Sequence, residues 1–156
     1  MIRFGLSTVF ALLFALVSCP AFAQATQVQD ISVQLFYETS GTFSEDVTKT
    51  KDFHYWNTLI GEGDAKEPAN SFLVTIFLRG KPESFGAKEF VTITITDENP
   101  KKFKPVVRRI SGLLFGETGR LVKAIFVENR VCSPLTINAR AKQSEKSVKI
   151  PFACGE

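Results

Sequence analysis

The sequence predicts an all-β protein built as a single antiparallel β-sandwich of roughly seven to nine short strands. Three observations lead to this prediction. Apolar residues recur at every second position in most segments, which is the period of a strand with one buried face. No long segment after residue 24 has the apolar spacing of an amphipathic helix. Turn-forming residues separate the apolar segments at fairly regular intervals.

Two strand regions are predicted before residue 61. In the first, Ile31 to Tyr37, apolar and polar side chains alternate until Thr39-Ser40-Gly41 ends the strand. The second, Val47 to Ile60, is rich in threonine and then in aromatic residues, both of which favour strands. We therefore expect one long strand here, or two short ones broken near Lys51-Asp52.

The next two segments are predicted to line the core. Phe72 to Leu78 has two apolar faces, because Leu73 and Phe77 interleave with the apolar residues of the other face. Such a strand belongs in the middle of a sheet, with a cover on each face. In the segment Val91 to Ile95, apolar residues alternate with threonines, so one face should be dry and the other in contact with water.

A hairpin is predicted in the segment 106–127. Apolar residues precede Gly116-Glu117-Thr118-Gly119, and the apolar segment Leu121 to Val127 follows it. A Gly-x-x-Gly turn between two apolar segments is typical of a hairpin. We therefore expect the strands on its two sides to pair with each other.

The last two strands are predicted to form a second hairpin, from Leu135 to Ala139 and from Val148 to Phe152, with a polar turn over 142–146. Matching the apolar faces places Leu135 opposite Phe152. In that register Cys132, just before the hairpin, and Cys154, just after it, would lie on opposite faces. We therefore expect a break in the ladder at Pro134, which cannot donate a ladder hydrogen bond.

Residues 24–156 fit a single domain that follows an N-terminal leader. We expect an Ig-like or C2-like sandwich, with a small β-barrel as the alternative. The first 23 residues have an early Arg3, an apolar segment from Phe4 to Val17, and the small residues of an A-x-A site at Ala21-Phe22-Ala23. These are the features of a secretory signal peptide, whose helix is not part of the fold. We expect a periplasmic or secreted protein without a transmembrane segment in the mature chain.

Cys19 offers an alternative processing site. The sequence Leu16-Val17-Ser18-Cys19 resembles a bacterial lipobox, in which the cysteine becomes a lipidated N-terminus and tethers the protein to a membrane. Pro20 directly after the cysteine is unfavourable for that processing, so the cut after Ala23 is preferred.

Cys132 and Cys154 are the two cysteines that either cut leaves unmodified. An even cysteine count in an exported domain predicts a disulfide, and here the disulfide would join the open end of the final hairpin. A closed zinc site needs four ligands, and neither cysteine has a neighbouring histidine. We expect no cofactor.

The sequence offers little support for catalysis. His54 is the single histidine, and it lies in an aromatic segment without a serine-bearing elbow, so we interpret it as a structural residue. Sixteen acidic residues leave a carboxylate-dependent hydrolase of envelope glycans as an alternative.

The segment Trp56 to Pro68 is the candidate binding site. Tyr55 directly precedes this segment. Tyr55 and Trp56 are adjacent and are expected to point to opposite faces of a strand, so that one of them is exposed. Glu62, Asp64 and Glu67 follow in the loop, and their oxygens are the ligands that Ca²⁺ takes. Lys66 among them opposes a cation, and the structural interpretation is a solvated turn. A calcium-dependent binding domain is therefore a further alternative.

Charge adds one more feature. The formal net charge of +3 is too small to argue for an anionic partner, and we expect no nucleic-acid partner. A basic cluster, which we interpret as a charged edge that prevents sheets from pairing, contains Lys101, Lys102, Lys104, Arg108 and Arg109. The expected function is a non-enzymatic exported interaction module that binds a protein or an envelope component.

Overall fold

The protein folds as a β-sandwich of two four-stranded antiparallel sheets, which confirms the predicted fold class. The structure is a computed structural model and describes residues 25–98 and 103–155. The predicted signal peptide, Cys19, Lys101 and Lys102 lie outside these residues.

Eight strands and one short 3-10 helix make up the described part of the chain: β1 (Gln27–Tyr37), β2 (Thr42–Phe43), the 3-10 helix (Thr58–Ile60), β3 (Ser71–Arg79), β4 (Ser84–Asp97), β5 (Val106–Phe115), β6 (Arg120–Glu128), β7 (Leu135–Ala141) and β8 (Ser144–Ile150). The first sheet has the order β2-β1-β3-β6, and the second sheet has the order β5-β4-β7-β8. No helix in these residues is long and apolar enough to cross a membrane.

The core lies between the two sheets and follows the predicted alternation. On β4, the three apolar residues from Val91 to Ile95 are buried, and the threonines between them lie half-buried on the outer face. Phe72 of β3 is fully buried, with its ring centroid 5.7 Å from that of Phe152. Burial of such side chains is the main source of stability in a sandwich.

The β3 strand is central, as its sequence predicts, but the expected cover on its outer face is absent among the described residues. Phe77 is 36% exposed, and Phe126 of β6, which is opposite Leu73, is 47% exposed. The outer face of the first sheet therefore carries an apolar surface, which we call the outer patch: Phe36, Phe43, Leu73, Phe77, Val122 and Phe126.

The prediction of a hairpin at residues 116–119 was wrong. β5 pairs with β4 and β6 pairs with β3, so the chain crosses from one sheet to the other at this turn. The turn is held by the connection between β3 and β4, because Gly80 N–H donates to Gly119 O and Glu83 N–H donates to Gly116 O. Gly-x-x-Gly specifies a tight turn, but it does not specify which strand pairs with which.

The predicted strand between Val47 and Ile60 was also wrong, since this segment forms turns and the 3-10 helix. The carboxylate of Asp46 accepts hydrogen bonds from the N–H groups of Val33 and Thr48, which turns the chain beside β1. Asp52 and Asn57 then adopt left-handed backbone conformations, which lie outside the extended region of a regular strand. Local hydrogen bonds from side chains to the backbone thus override the strand propensity.

The final hairpin forms with a register that differs from the predicted one. Leu135 is opposite Ile150, not Phe152, because the turn consists of Lys142 and Gln143 alone and is shorter than expected. The ladder begins at Leu135, directly after Pro134, as expected. Phe152 lies beyond the ladder and turns into the core.

Candidate functional site

The predicted site forms one ordered loop at an end of the sandwich, which we call the tryptophan loop (residues 53–68). Of the two adjacent aromatic residues, Tyr55 is partly buried and Trp56 is exposed, so one of them is exposed as expected. The Tyr55 ring packs 5.6 Å from that of Phe152, and its hydroxyl donates a 2.7 Å hydrogen bond to Val47 O. Trp56 points outward and is 44% exposed.

Burial changes the chemistry of the Tyr55 hydroxyl. Removal from water raises the pKa of Tyr55 above its ordinary value, and the negative charge of Asp46 raises it further. The neutral hydroxyl is therefore maintained as a hydrogen-bond donor to Val47 O. This bond joins the tryptophan loop to the turn that follows β2.

The apolar tip of the tryptophan loop consists of Trp56, Leu59 and Ile60, and Ile60 is 61% exposed. Asn57 begins the 3-10 helix in a left-handed conformation, and Gly61 ends it with a φ of 79°. Thr58, between the exposed residues, is fully buried and fixes the helix to the body of the domain. The tip thus presents its apolar residues on a rigid support, although apolar side chains are ordinarily withdrawn from water.

Gly63 closes the loop. Its φ is 68°, and a Cβ placed on it would overlap the carbonyl oxygen of His54. The next residue, Asp64, bonds to both backbone groups of His54: the Asp64 N–H donates to His54 O, and His54 N–H donates to Asp64 Oδ2 at 2.8 Å. Glycine is required at 63 because the two segments of the loop touch there.

The disulfide lies directly beneath the tryptophan loop. Cys132 and Cys154 are bonded, with their Cα atoms 4.7 Å apart, as the sequence predicts. The adjacent Ala153 forms a parallel bridge with Trp56, and its carbonyl accepts a 2.7 Å hydrogen bond from Asn57 N–H. The C-terminal segment that carries Cys154 is therefore a support for the loop.

Gly155 extends this support to the tryptophan ring. A Cβ placed on Gly155 would lie 3.2 Å from Trp56 Cζ2, so the ring lies against bare backbone. One side of the indole ring is thus held by the C-terminal segment, and the remainder faces water.

The three acidic residues of the loop are directed to three different partners. Glu62 Oε2 accepts from Asn57 Nδ2 at 2.7 Å, Asp64 bonds to His54 as described above, and Glu67 Oε2 accepts from Ser40 N–H at 3.0 Å. No group of three metal-ligating side chains occurs in residues 25–98 and 103–155. These carboxylates stabilise the loop and do not converge on a cation.

Two of these acidic residues border a pocket of about 340 Å³ between the tryptophan loop and β2. Asp64, Lys66 and Glu67 form one side, and Glu45 lies among the remaining residues. Phe43 and Phe53 add aromatic surface. Glu45 was not predicted as a site residue, because its place at the pocket depends on the turn formed by Asp46.

The outer patch is a second exposed surface, which the sequence indicated only through Leu73 and Phe77. The ring centroid of Phe36 lies 5.3 Å from that of Phe43 and 5.5 Å from that of Phe126. Lys49 lies at the far end, with its Nζ 5.9 Å from the Phe77 ring centroid and 2.7 Å from Asp30 Oδ2. The hydrogen bond to Asp30 raises the pKa of Lys49.

No protein-family model matches this sequence, and no curated protein matches it either.

Proposed function

We propose that this chain is an exported, non-enzymatic interaction module that binds a protein partner in the periplasm or outside the cell. The single observation that carries the proposal is the apolar tip of the tryptophan loop, held out into water on a support that a disulfide fixes. Exposed aromatic side chains on rigid supports are typical anchors of protein interfaces, because little conformational freedom is lost when they bind.

The polar groups around the tip favour a protein over a purely lipid surface. Glu62 accepts a hydrogen bond from Asn57, beside Trp56, and Asp64 and Lys66 are exposed later in the same loop, so charged groups accompany the apolar tip. A partner surface with an apolar pocket and polar edges would match this arrangement.

The disulfide supports the part of the proposal that concerns export. Disulfides persist outside the reducing cytoplasm, and the Cys132–Cys154 bond fits that environment. The features of residues 1–23 provide the route of export, with lipidation at Cys19 as the alternative. The free protein and the tethered protein would present the same tryptophan loop.

Trp56 is the only tryptophan of the chain, so its fluorescence reports on the proposed site alone. The mature chain would be used to capture partners from envelope extract, and each captured protein would be titrated against the purified chain. We expect a blue shift of the emission on binding, and a loss of affinity of about tenfold or more for Ile60→Ala, which preserves the reporter.

Phe85→Ala is the matched control, because Phe85 is an equally apolar and 64% exposed residue on the second sheet. Trp56→Ala and an exchange of residues 62–67 would be compared with it in the capture step. Equal recovery of the same partner by all of these variants would exclude the tryptophan loop as the binding surface.

A hydrolase is a second candidate because of one observation: Glu45, Asp64 and Glu67 line the same 340 Å³ pocket as three aromatic rings. Glycoside cleavage uses a pair of carboxylates, and three carboxylates line this pocket. Incubation with envelope glycan fragments tests this candidate. Release of reducing ends by the wild type, and its loss in Glu45→Gln, would favour the hydrolase over the binding module.

A further inference from the structure

β6 has a free edge. β6 is the last strand of the first sheet, and it pairs with β3 through nine consecutive residues without a bulge. Within the described ranges, only β3 is hydrogen-bonded to the β6 backbone. An open, regular edge strand is a template for pairing with another strand.

The other three edges of the sandwich are short, covered or irregular, whereas β6 is long and regular, and Lys123 is its one inward-facing charge. β2 has only two residues, and β8 packs beside β1, where the Ser144 hydroxyl bonds to both backbone groups of Val28. β5 carries Arg108 and Arg109, has a left-handed Gly112, and pairs with β4 through an irregular register. This position of β5 confirms the edge predicted from its arginines. Charges and irregularities of this kind prevent pairing.

We infer that the free edge of β6 pairs antiparallel with β6 of a second copy of this chain, with the two-fold axis at Ala124, so that the two first sheets join into one continuous sheet. In this register Arg120 lies opposite Glu128 of the partner subunit, and Val122 lies opposite Phe126 of the partner subunit. The strand is therefore complementary to itself in charge and in apolar character, as a two-fold interface requires.

Geometry restricts the register. Every second residue of β6 points its N–H and C=O groups to the free edge. In a paired edge these residues must lie opposite residues of the same kind in the partner strand. The two-fold axis therefore passes at the position of a residue and not between two residues. Lys123 lies opposite the buried Ile76 and therefore on the inner face. An axis at Lys123 would place two lysines opposite each other, whereas the axis at Ala124 places Lys123 opposite Ile125 of the partner subunit.

The charges at one end of β6 support this interface. Arg120 lies directly opposite Arg79 on β3, and no carboxylate in the described ranges is within ion-pair distance of either. Like charges in opposed positions of a sheet are unfavourable. In the joined sheet, Arg120 would lie between Arg79 on one side and Glu128 of the partner subunit on the other, which offsets the repulsion.

The outer patch also supports the pairing of two β6 strands. Val122 and Phe126 are about half-exposed and form the border of the outer patch along β6. When two β6 strands pair, each of these side chains gains an apolar neighbour across the axis, and the two patches become one surface. The pairing therefore buries apolar area that a single copy leaves in water.

Charge exchange tests the inference. Sedimentation of residues 24–156 over a wide dilution series should show a dimer that dissociates on dilution. Arg120→Glu alone and Glu128→Arg alone should each weaken the dimer about tenfold or more, because two symmetry-related attractive pairs become repulsive. The double variant should restore the affinity, since it re-forms both pairs.

The two exchanged residues lie at opposite ends of the same strand, so their interaction within one copy cannot explain a restoration. Arg120→Glu also places a carboxylate opposite Arg79 of the same chain, and this pair stabilises the folded monomer. Arg109→Glu, on the edge of the second sheet, is the matched control and should leave the dimer unchanged.

A cross-link provides an independent measurement. Ala124→Cys should form a disulfide-linked dimer under mild oxidation, because Ala124 lies opposite Ala124 of the partner subunit, whereas Thr118→Cys, in the turn before β6, should not. A wild-type chain that stays monomeric throughout the series, a double charge variant as weak as the single ones, or equal cross-linking of both cysteine variants would overturn the inference.

Discussion

The backbone N–H of Gly155 donates a 2.6 Å hydrogen bond to Oδ1 of Asn57, and this bond joins the tryptophan loop to the residue after Cys154. Two segments that are far apart in the sequence thereby become one structural unit. Its rigidity depends on the disulfide, because Cys132 holds the C-terminal segment in place. The binding proposal therefore ties the function of the loop to the redox state of the cysteines.

Removal of the disulfide should loosen this unit. We expect the double variant Cys132→Ser and Cys154→Ser to lose about 3 kcal/mol of unfolding free energy, as the chain-entropy model gives for a loop of this size. The emission of Trp56 should move to longer wavelength in the folded variant, because its support becomes mobile. Urea unfolding and acrylamide quenching measure the two effects. Quenching equal to that of the wild type would contradict the supporting role of the disulfide.

Substitution of Gly63 should destabilise the protein through a backbone contact. Gly63→Ala adds left-handed strain and an overlap with His54 O, so we expect a loss of ~3 kcal/mol. Gly41 is the matched control: its φ is 70°, and nothing lies within 4 Å of a Cβ placed there. Gly41→Ala should cost only the strain, about 1 kcal/mol. Thermal unfolding of both variants gives the comparison, and equal losses would contradict the predicted overlap.

Asp46 should make stability depend on pH in the acid range. Burial raises the pKa of Asp46, but hydrogen bonds from Thr48 and Val33 outweigh this effect and lower it below the ordinary value. The native carboxylate thus binds fewer protons than the unfolded one. Its contribution is complete above about pH 4 and is lost as the pH falls through the lowered folded-state pKa.

The variant Asp46→Asn should therefore lose about 1 kcal/mol at neutral pH, and this difference should shrink as the pH approaches about 3. Unfolding by urea across this range measures it. Asp52→Asn, at an exposed left-handed position that asparagine tolerates, is the control. A difference for Asp46→Asn that is constant with pH would show that the charge of Asp46 plays no part.

Calcium should not stabilise the protein. The carboxylates of Glu62, Asp64 and Glu67 bond to different partners, so we expect the same melting temperature in EDTA and in millimolar calcium. A ligand that binds the native state raises its stability by mass action. A higher melting temperature with calcium that Asp64→Asn abolishes would favour the calcium-dependent module over the proposed one.

The sequence predicted those features that depend on local patterns. The alternation on β4 identified the buried face at Val91 to Ile95, and the two apolar faces of the β3 segment placed that strand in the centre of a sheet. The pair Cys132 and Cys154 was identified by count alone. In each case a short segment, or a simple pairing rule, contains all of the information that is needed.

The features that the sequence predicted wrongly depend on contacts between distant residues. The turn at Asp46 follows from hydrogen bonds with β1, and the Gly116–Gly119 turn crosses between sheets because each flanking strand has a better partner elsewhere. The apolar tip was predicted only as an exposed aromatic residue at position 55 or 56. Leu59 and Ile60 could not be assigned to it, because a strand was expected where the 3-10 helix lies.

The crossings between sheets also limit how the chain can acquire its structure. The segments β3–β4, β5–β6 and β6–β7 each pass from one sheet to the other, so no continuous fragment shorter than β1 to β6 contains the whole first sheet. The second sheet is completed only by Ser144–Ile150 near the C-terminus. A growing polypeptide that still lacks β7 and β8 therefore cannot complete the sandwich.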